Sequence, residues 1–169
     1  PQEPTENQAA VGNYRKPPVK WQDRTIRLEN APGQVMRGTE ASGKPWSRTM
    51  KAAYGYFSET EDSTGEEVDV FIGPDKYSQT VYVIDQLPPD GKQYDEPKIV
   101  VASASEEAAR KLYLSHYPKD WKGLGALTAM PAEKFKAWLD SHQTKKPMAW
   151  KPQSPKAKPT VEPRRSTRR

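Results

Sequence analysis

Short runs of β-branched and other apolar residues, several of them followed by turn residues, constrain the fold of this chain more than any other feature. These runs share a length of four or five residues, and they occupy residues 25–29, 68–72, 81–84 and 99–102. Two of them stop at proline and glycine, in residues 31–33 and 73–74. Runs of this length and composition are typical of β-strands rather than helices. The sequence therefore predicts at least four short strands before residue 103.

The hydrophobic period changes after residue 102. Residues 103–106 read Ser-Ala-Ser-Glu, a capping box that predicts the start of a helix with its apolar side chains within residues 108–113. Pro131 suits the first turn of a second helix, in which Phe135, Trp138 and Leu139 form an i, i+3, i+4 stripe. Strands followed by two C-terminal helices predict an α+β fold with a small antiparallel or barrel-like sheet.

The distribution of charged residues separates a basic C-terminal segment from the rest of the chain. Residues 144–169 carry nine Lys and Arg against one Glu and contain five prolines, whereas the rest carries 21 acidic against 18 basic residues. A segment with so little to bury cannot offset its ordering entropy. We expect a flexible leader at 1–13, one domain at 14–143 and a basic disordered tail at 144–169. The tail is either a solvated linker or a sequence-independent contact for nucleic acid.

Several classes of site and location are excluded by composition. The chain has no cysteine and two histidines, so a metal would be held by oxygen, which favours magnesium, manganese or calcium. No apolar run approaches the roughly 20 residues that span a bilayer, and no signal peptide is visible, so we expect no membrane contact and no secretion. The chain begins at Pro1 rather than Met, which predicts a piece of a longer protein.

Acidic and basic side chains alternate along the strand region. Carboxylates cluster between Glu59 and Asp69, and Asp85 and residues 95–96 follow at strand boundaries. Arg37, Arg48, Lys51 and Lys98 supply positive charge among them. Carboxylates for a hard divalent ion beside cations for phosphate oxygens are what metal-assisted phosphoryl hydrolysis requires. The alternatives are a solvated acidic loop and turn-forming aspartates.

These segments resemble a known family. Tyr54-Gly55-Tyr56, a glycine-centred acidic turn and Val68-Asp69-Val70 resemble the signature region of family I soluble inorganic pyrophosphatases. The stretch from Gly12 to Trp138 is similar to the pyrophosphatase-like domain of multidomain phage and mobile-element (polyvalent) proteins. The similar pieces occur in order along the chain, and they are residues 27–33, 68–74, 81–86, 94–98, 121–126 and 133–139.

The resemblance implies a five-stranded barrel with helices outside, and hydrolysis of pyrophosphate with Mg²⁺, or Mn²⁺ in its place. It implies catalytic residues and metal ligands among the carboxylates, namely Asp69, Asp85, Glu66, Asp95 and Glu96, with Glu29 as a further acid of the cleft. It implies that phosphate is bound by Arg37, Arg48, Lys98, Tyr54, Tyr117 and Lys119. It also implies a larger parent polypeptide or phage particle components as partners, and a location in the host cytoplasm or in a phage particle.

One position departs from the family pattern. The family has Asp-Gly-Asp ahead of its hydrophobic-Asp pair, where this chain has Thr64-Gly65-Glu66. A neutral hydroxyl binds magnesium far more weakly than a carboxylate, so Thr64→Asp is predicted to raise metal affinity and turnover. Two other functions stay open: a catalytically impaired module that acts as a structural or interaction domain, and nucleic-acid binding through the tail.

Overall fold

A computed structural model describes residues 16–62, 64–141 and 143–151. The predicted leader at 1–13 and most of the predicted tail, 152–169, lie outside these ranges. The described elements, in chain order, are β1 (Pro18–Trp21), β2 (Arg24–Asn30), β3 (Val35–Thr39), β4 (Pro45–Thr49), β5 (Ala53–Phe57), β6 (Asp69–Ile72), β7 (Thr80–Gln86), β8 (Glu96–Val101), α1 (Glu106–Leu114), β9 (Leu124–Pro131) and α2 (Ala132–Asp140). Neither of these two helices is long and apolar enough to cross a membrane.

Seven strands form one mixed sheet in the order β1-β2-β5-β6-β8-β7-β9, and β3 and β4 form a separate hairpin. All neighbours in the large sheet are antiparallel except β6 and β8, which run parallel. The prediction of a mixed α+β fold is confirmed. The sheet has seven strands rather than five, however, and within the described residues β1 and β9 stay at its two edges without closing a barrel.

Alternation along the strands divides the core between the two faces of the sheet. Val70, Val83 and Ile99 point to the face on which Phe135 of α2 packs, which we call the α2 face. The residues that alternate with them, such as Phe71, Ile84 and Val100, pack with Tyr113 of α1 on the opposite, α1 face. Met36 of the β3–β4 hairpin and Met50 just after it cover part of the α1 face.

The predicted strands and helices are confirmed, with a shift at the start of each helix: Pro131, predicted in the first turn of α2, is the extended residue that precedes it. Helix α1 begins at Glu106 and is capped by Ser105, whose hydroxyl accepts a hydrogen bond from the Ala108 amide at 3.1 Å. The capping box placed the cap at Ser103 instead. Ser103 is buried, and its hydroxyl bonds the Ser105 carbonyl. The extended backbone of Ser105 makes it the last residue before the helix.

Strand β9, which lies between the two helices, was not predicted. Its sequence contains Gly125 and two alanines, which are poor strand formers. It forms because β7 offers an unpaired edge, and the chain passes so close there that a Cβ on Gly125 would lie 2.3 Å from the Asp85 carbonyl oxygen. Glycine at 125 therefore serves a close approach of two backbones, at the point where the β7–β9 register shifts between Ile84 and Gln86.

Candidate functional site

A buried lysine with two carboxylates is the most unusual polar feature of the α1 face. Lys98 of β8 is 5% exposed, and its ammonium donates to the Tyr54 hydroxyl at 2.8 Å and to Asp69 Oδ2 at 2.5 Å. Its Nζ also lies 2.8 Å from Glu96 Oε1. The parallel pairing of β6 and β8 sets Asp69 directly beside Lys98, and period-2 alternation puts Glu96 on the same face.

Burial and mutual charge shift the pKa of each member of this group. Burial opposes the ammonium charge of Lys98, but Tyr54, Asp69 and Glu96 outweigh it and raise the Lys98 pKa. Burial raises the pKa of Glu96 to about 7, against the opposing attraction of Lys98. Burial likewise raises the pKa of the Tyr54 hydroxyl well above its usual value. The group therefore holds a permanent cation between carboxyl groups that favour further positive charge or a proton.

A hydrogen-bond network continues from this group toward α1. Gln86 Nε2 donates to Glu96 Oε1 at 3.3 Å, while Gln86 Oε1 accepts from the hydroxyls of Tyr113 at 2.7 Å and Tyr117 at 2.8 Å. The Trp121 indole N–H donates to the Tyr113 hydroxyl at 2.9 Å. Both the amide nitrogen and the amide oxygen of Gln86 have partners, so the network orients Glu96. Neither Gln86 nor Tyr113 was predicted to be a site residue.

Arg48 lies at the edge of the same network, between two aromatic rings. Its guanidinium carbon is 4.5 Å from the Trp46 ring centroid and 4.6 Å from that of Tyr117, and Tyr117 in turn stacks on Trp121 at 4.5 Å. Among the described residues Arg48 makes no ion pair. A guanidinium held by its faces keeps its N–H edge for an anion.

His116 links α1 to the end of the hairpin that carries Arg48. Its Nε2 accepts from the Lys51 amide at 3.0 Å, so Nδ1 carries the proton and donates to the Leu112 carbonyl at 2.8 Å. Burial lowers the His116 pKa, and the nearby charges of Arg48 and Lys51 lower it further. His116 is therefore a neutral packing residue.

Two further predicted acids lie close enough to this group to influence it. The β2–β5 register shifts between Leu28 and Asn30, which leaves Glu29 as the extra residue of a bulge. Burial and the charge of Asp69 raise the pKa of Glu29. Burial also raises the pKa of Asp95, against the attraction of Lys98.

The loop before β6 adds an acid that the sequence left out of the site. Asp62 is fully buried, and its Oδ1 accepts from the Thr64 amide at 2.8 Å, the Thr64 hydroxyl at 2.6 Å and the Glu66 amide at 3.1 Å. Gly65, with a φ of 89°, lets the backbone turn around this carboxylate. The spacing of the predicted motif, with its acid at position 64, put Asp62 two residues outside the predicted site. The signal available in the sequence was an Asp two residues before a Thr-Gly turn.

Asp85, which was predicted to be catalytic and a metal ligand, lies elsewhere. It stands between Ile84 and Gln86 in β7, and so its side chain points to the α2 face, opposite Asp69. It is fully buried and accepts three backbone N–H bonds, from Met148 at 2.7 Å, Ala149 at 2.7 Å and Trp150 at 2.8 Å. The partners of the Asp85 carboxylate are thus backbone amides of residues 148–150, which the sequence analysis had placed in the disordered tail.

Three other predicted residues are not brought into the group. Arg37 pairs with Ser47 on the exposed side of the hairpin, one residue out of phase with the Met36–Arg48 pair. Glu66 is exposed and reaches Asp62 through its backbone only. Lys119 is also exposed. Of the predicted site, the structure brings together Asp69, Glu96, Lys98, Tyr54, Tyr117, Arg48, Glu29 and Asp95.

The acids offer a divalent cation few ligands at once. In the described part of the chain, no three acidic or histidine side chains are placed to hold one metal ion together. Magnesium keeps several waters and is commonly held by one or two carboxylates together with substrate phosphate oxygens. The hard oxygen donors of Asp69 and Glu96, and the raised pKa of the Glu96 carboxyl, suit such an ion, so the residues present fit it.

Comparison with known proteins gives a match to a protein family. A family model described as Inorganic Pyrophosphatase matches residues 6–140. No curated protein and no solved structure matches the chain.

Proposed function

Because the chain belongs to the inorganic pyrophosphatase family, we propose that it hydrolyses inorganic pyrophosphate with Mg²⁺ at the site around Lys98. The observation that carries this proposal is the buried Lys98 ammonium, which touches Asp69, Glu96 and Tyr54 at 2.5–2.8 Å. Such a group places a fixed positive charge beside carboxylates, in a family whose substrate is a polyanion.

The reaction adds one water across the P–O–P bridge: a new P–O bond forms as the bridging oxygen leaves with the second phosphate. The chain's own residues bind and orient. Lys98 holds the Asp69 and Glu96 carboxylates and the Tyr54 hydroxyl in one arrangement, so that none of them has to reorganise during the reaction. The Arg48 guanidinium presents its edge to phosphate oxygens, where two N–H groups can bind one phosphate.

Asp69 and Glu96, with Asp95 and Glu29 nearby, would hold Mg²⁺, or Mn²⁺ in its place. When bound, the ion neutralises phosphate charge and lowers the pKa of water. The protein's part is to hold these carboxyl groups together, and the Lys98 charge opposes the rise that burial causes in the pKa of Glu96.

Phosphate release from pyrophosphate, measured against Mg²⁺ concentration, tests the proposal. We expect the wild-type protein to release phosphate only with Mg²⁺ or Mn²⁺, and Asp69→Asn to lower the rate at least about 10-fold. Asp90→Asn, in an exposed turn, is the matched control and should leave the rate unchanged. Equal rates in both variants would contradict a role for Asp69. No release by the wild-type protein would favour the impaired structural module instead.

Two arginines of the hairpin provide an internal comparison. Arg48→Ala should raise KM for pyrophosphate by about 10-fold or more, because a charge-assisted bond of roughly 1.5–3 kcal/mol to phosphate is lost. Arg37→Ala removes the same charge from the exposed side of the same hairpin and should leave KM unchanged. Steady-state kinetics at fixed Mg²⁺ measures both. Equal changes in KM would mean that the effect is one of overall charge rather than of the site.

A further inference from the structure

One oxygen of the buried Asp62 has no hydrogen-bond donor within the part of the chain that the structure describes. Its Oδ1 is fully used by Thr64 and Glu66, but no donor among the described residues reaches Oδ2. The side chain is 0% exposed. A buried acceptor without a donor is unfavourable, and in folded proteins such an atom usually faces a water, an ion or a ligand.

The Asp62 carboxyl lies against the Glu96 carboxyl of the site. The two groups are within side-chain contact, and Asp62 contributes to the raised pKa of Glu96. Both groups are acceptors when ionised, so neither can then donate a hydrogen bond to the other. Asp62 also raises the pKa of Asp95. A cation between Asp62 and Glu96 would satisfy Oδ2 and remove the repulsion together.

We propose that Asp62 is a metal ligand of this chain, holding a divalent cation jointly with Glu96 in place of the carboxylate that the family has at position 64. The location rests on the proposed function, but metal binding by this pair can be measured without activity. Two protein carboxylates, with waters or phosphate oxygens, are a sufficient set for Mg²⁺ or Mn²⁺.

Thr64 then has a different role from the one its sequence position suggested. Its hydroxyl and amide both donate to Asp62 Oδ1, and this fixes the carboxylate with Oδ2 left without a donor among the described residues. Thr64 is a positioning residue, because ligating carboxylates are commonly fixed by such hydrogen bonds. Thr64→Asp would replace a donor by a second acceptor, so it is expected to lower metal affinity. The sequence had predicted the opposite sign.

The Asp62→Asn variant tests whether Asp62 is a metal ligand or a structural residue, through its melting temperature and its Mn²⁺ affinity. The amide oxygen can keep the bonds from Thr64 and Glu66, and the amide nitrogen can donate to Glu96. We therefore expect the metal-free variant to melt about 2–4 °C higher than the wild type, because a repulsion is replaced by a hydrogen bond. We expect its Mn²⁺ affinity to fall at least about 10-fold. Glu59→Gln, exposed in the same loop, should change neither quantity.

Calorimetric titration with Mn²⁺ alone and thermal melts of the metal-free forms measure these effects on the full chain. The proposal would be overturned by an unchanged Mn²⁺ affinity in Asp62→Asn. It would also be overturned if the wild type bound no Mn²⁺ at concentrations on the order of 10 mM. A shared proton between Asp62 and Glu96, with no Mn²⁺ dependence, would overturn it equally. If Asp62→Asn does not fold, Thr64→Val decides: an affinity about 3-fold lower supports the proposal, and an unchanged affinity refutes it.

The failure of this proposal is distinguishable from failure of the proposed function. Pyrophosphate hydrolysis that persists in Asp62→Asn at the wild-type Mn²⁺ dependence would leave the function standing without Asp62. Mn²⁺ binding that is lost in Asp62→Asn, in a protein that releases no phosphate, would support the metal site and reject the enzyme.

Discussion

Asp85→Asn is expected to lower the free energy of unfolding by about 2–4 kcal/mol while reducing phosphate release far less than Asp69→Asn does. Asp85 is fully buried, and its two oxygens accept the amides of residues 148–150 at 2.7–2.8 Å. Hydrogen bonds to a charged group contribute roughly 1.5–3 kcal/mol each. Asparagine keeps one acceptor and brings an NH₂ group against an amide that is itself a donor.

Urea unfolding of Asp85→Asn and the wild type, with Asp90→Asn as the exposed control, measures the loss. Hydrogen exchange should also quicken at the amides of 148–150 in Asp85→Asn and stay unchanged in the control. The contrary result is a stable Asp85→Asn protein with its activity reduced as far as in Asp69→Asn. That outcome would return Asp85 to the catalytic group and would require a rearrangement of β7.

The Asp85 carboxylate shows that the predicted tail contributes to the domain at its start. Thr144 is buried and its hydroxyl donates to the Glu61 carbonyl at 2.5 Å, and Met148 packs against the core of the α2 face. Residues 143–151 thus join the end of α2 to β7 and to the loop that carries Asp62. The composition of 144–169 suggested a single basic segment, because its many prolines and lysines outweigh one partly buried methionine and three backbone N–H donors that bind Asp85.

The central strands were predictable because each of them is buried on both faces. Strands β6, β7 and β8 carry nearly continuous β-branched runs, and helices α1 and α2 show clear apolar stripes. The edge strand β9 was not predictable, because its sequence has little strand propensity and it is held by pairing with β7. The β3–β4 hairpin was not predicted either, because its two strands are largely exposed and carry few apolar residues.

The site shows the same division between local pattern and tertiary contact. The motif placed Asp69, Glu96 and Lys98 in one group, and alternation on paired strands brings them onto one face. Alternation also puts Asp85 on the opposite face, which its position between Ile84 and Gln86 already implied. Asp62 could not be assigned by motif spacing, because a five-residue turn around Gly65 brings it to Glu96 from outside the motif.

Lys98→Met is expected to lower the free energy of unfolding of the metal-free protein by about 3–5 kcal/mol, because removing one partner leaves buried charge uncompensated. Asp69 and Glu96 both lie against the Lys98 ammonium, and Lys98 is 5% exposed. Methionine fills the volume of the lysine stem, so packing changes little. Phosphate release should fall at least about 100-fold, since carboxylates and Tyr54 lose the group that orients them.

A second substitution tests whether charge, rather than packing, causes this loss. Lys98→Met/Glu96→Gln removes one of the two uncompensated carboxylates, so we expect it to be more stable than Lys98→Met alone, with a coupling of roughly 0.5–3 kcal/mol. Lys134→Met, at an exposed position of α2, controls for loss of a positive charge elsewhere and should unfold like the wild type. Denaturant unfolding of the wild type, Lys98→Met, Glu96→Gln and the double variant without divalent cations gives the coupling, with Lys134→Met unfolded alongside as the control. Additive losses in the double variant would mean that Lys98 acts through its contacts with Tyr54 and the core, and the electrostatic account of the site would then be wrong.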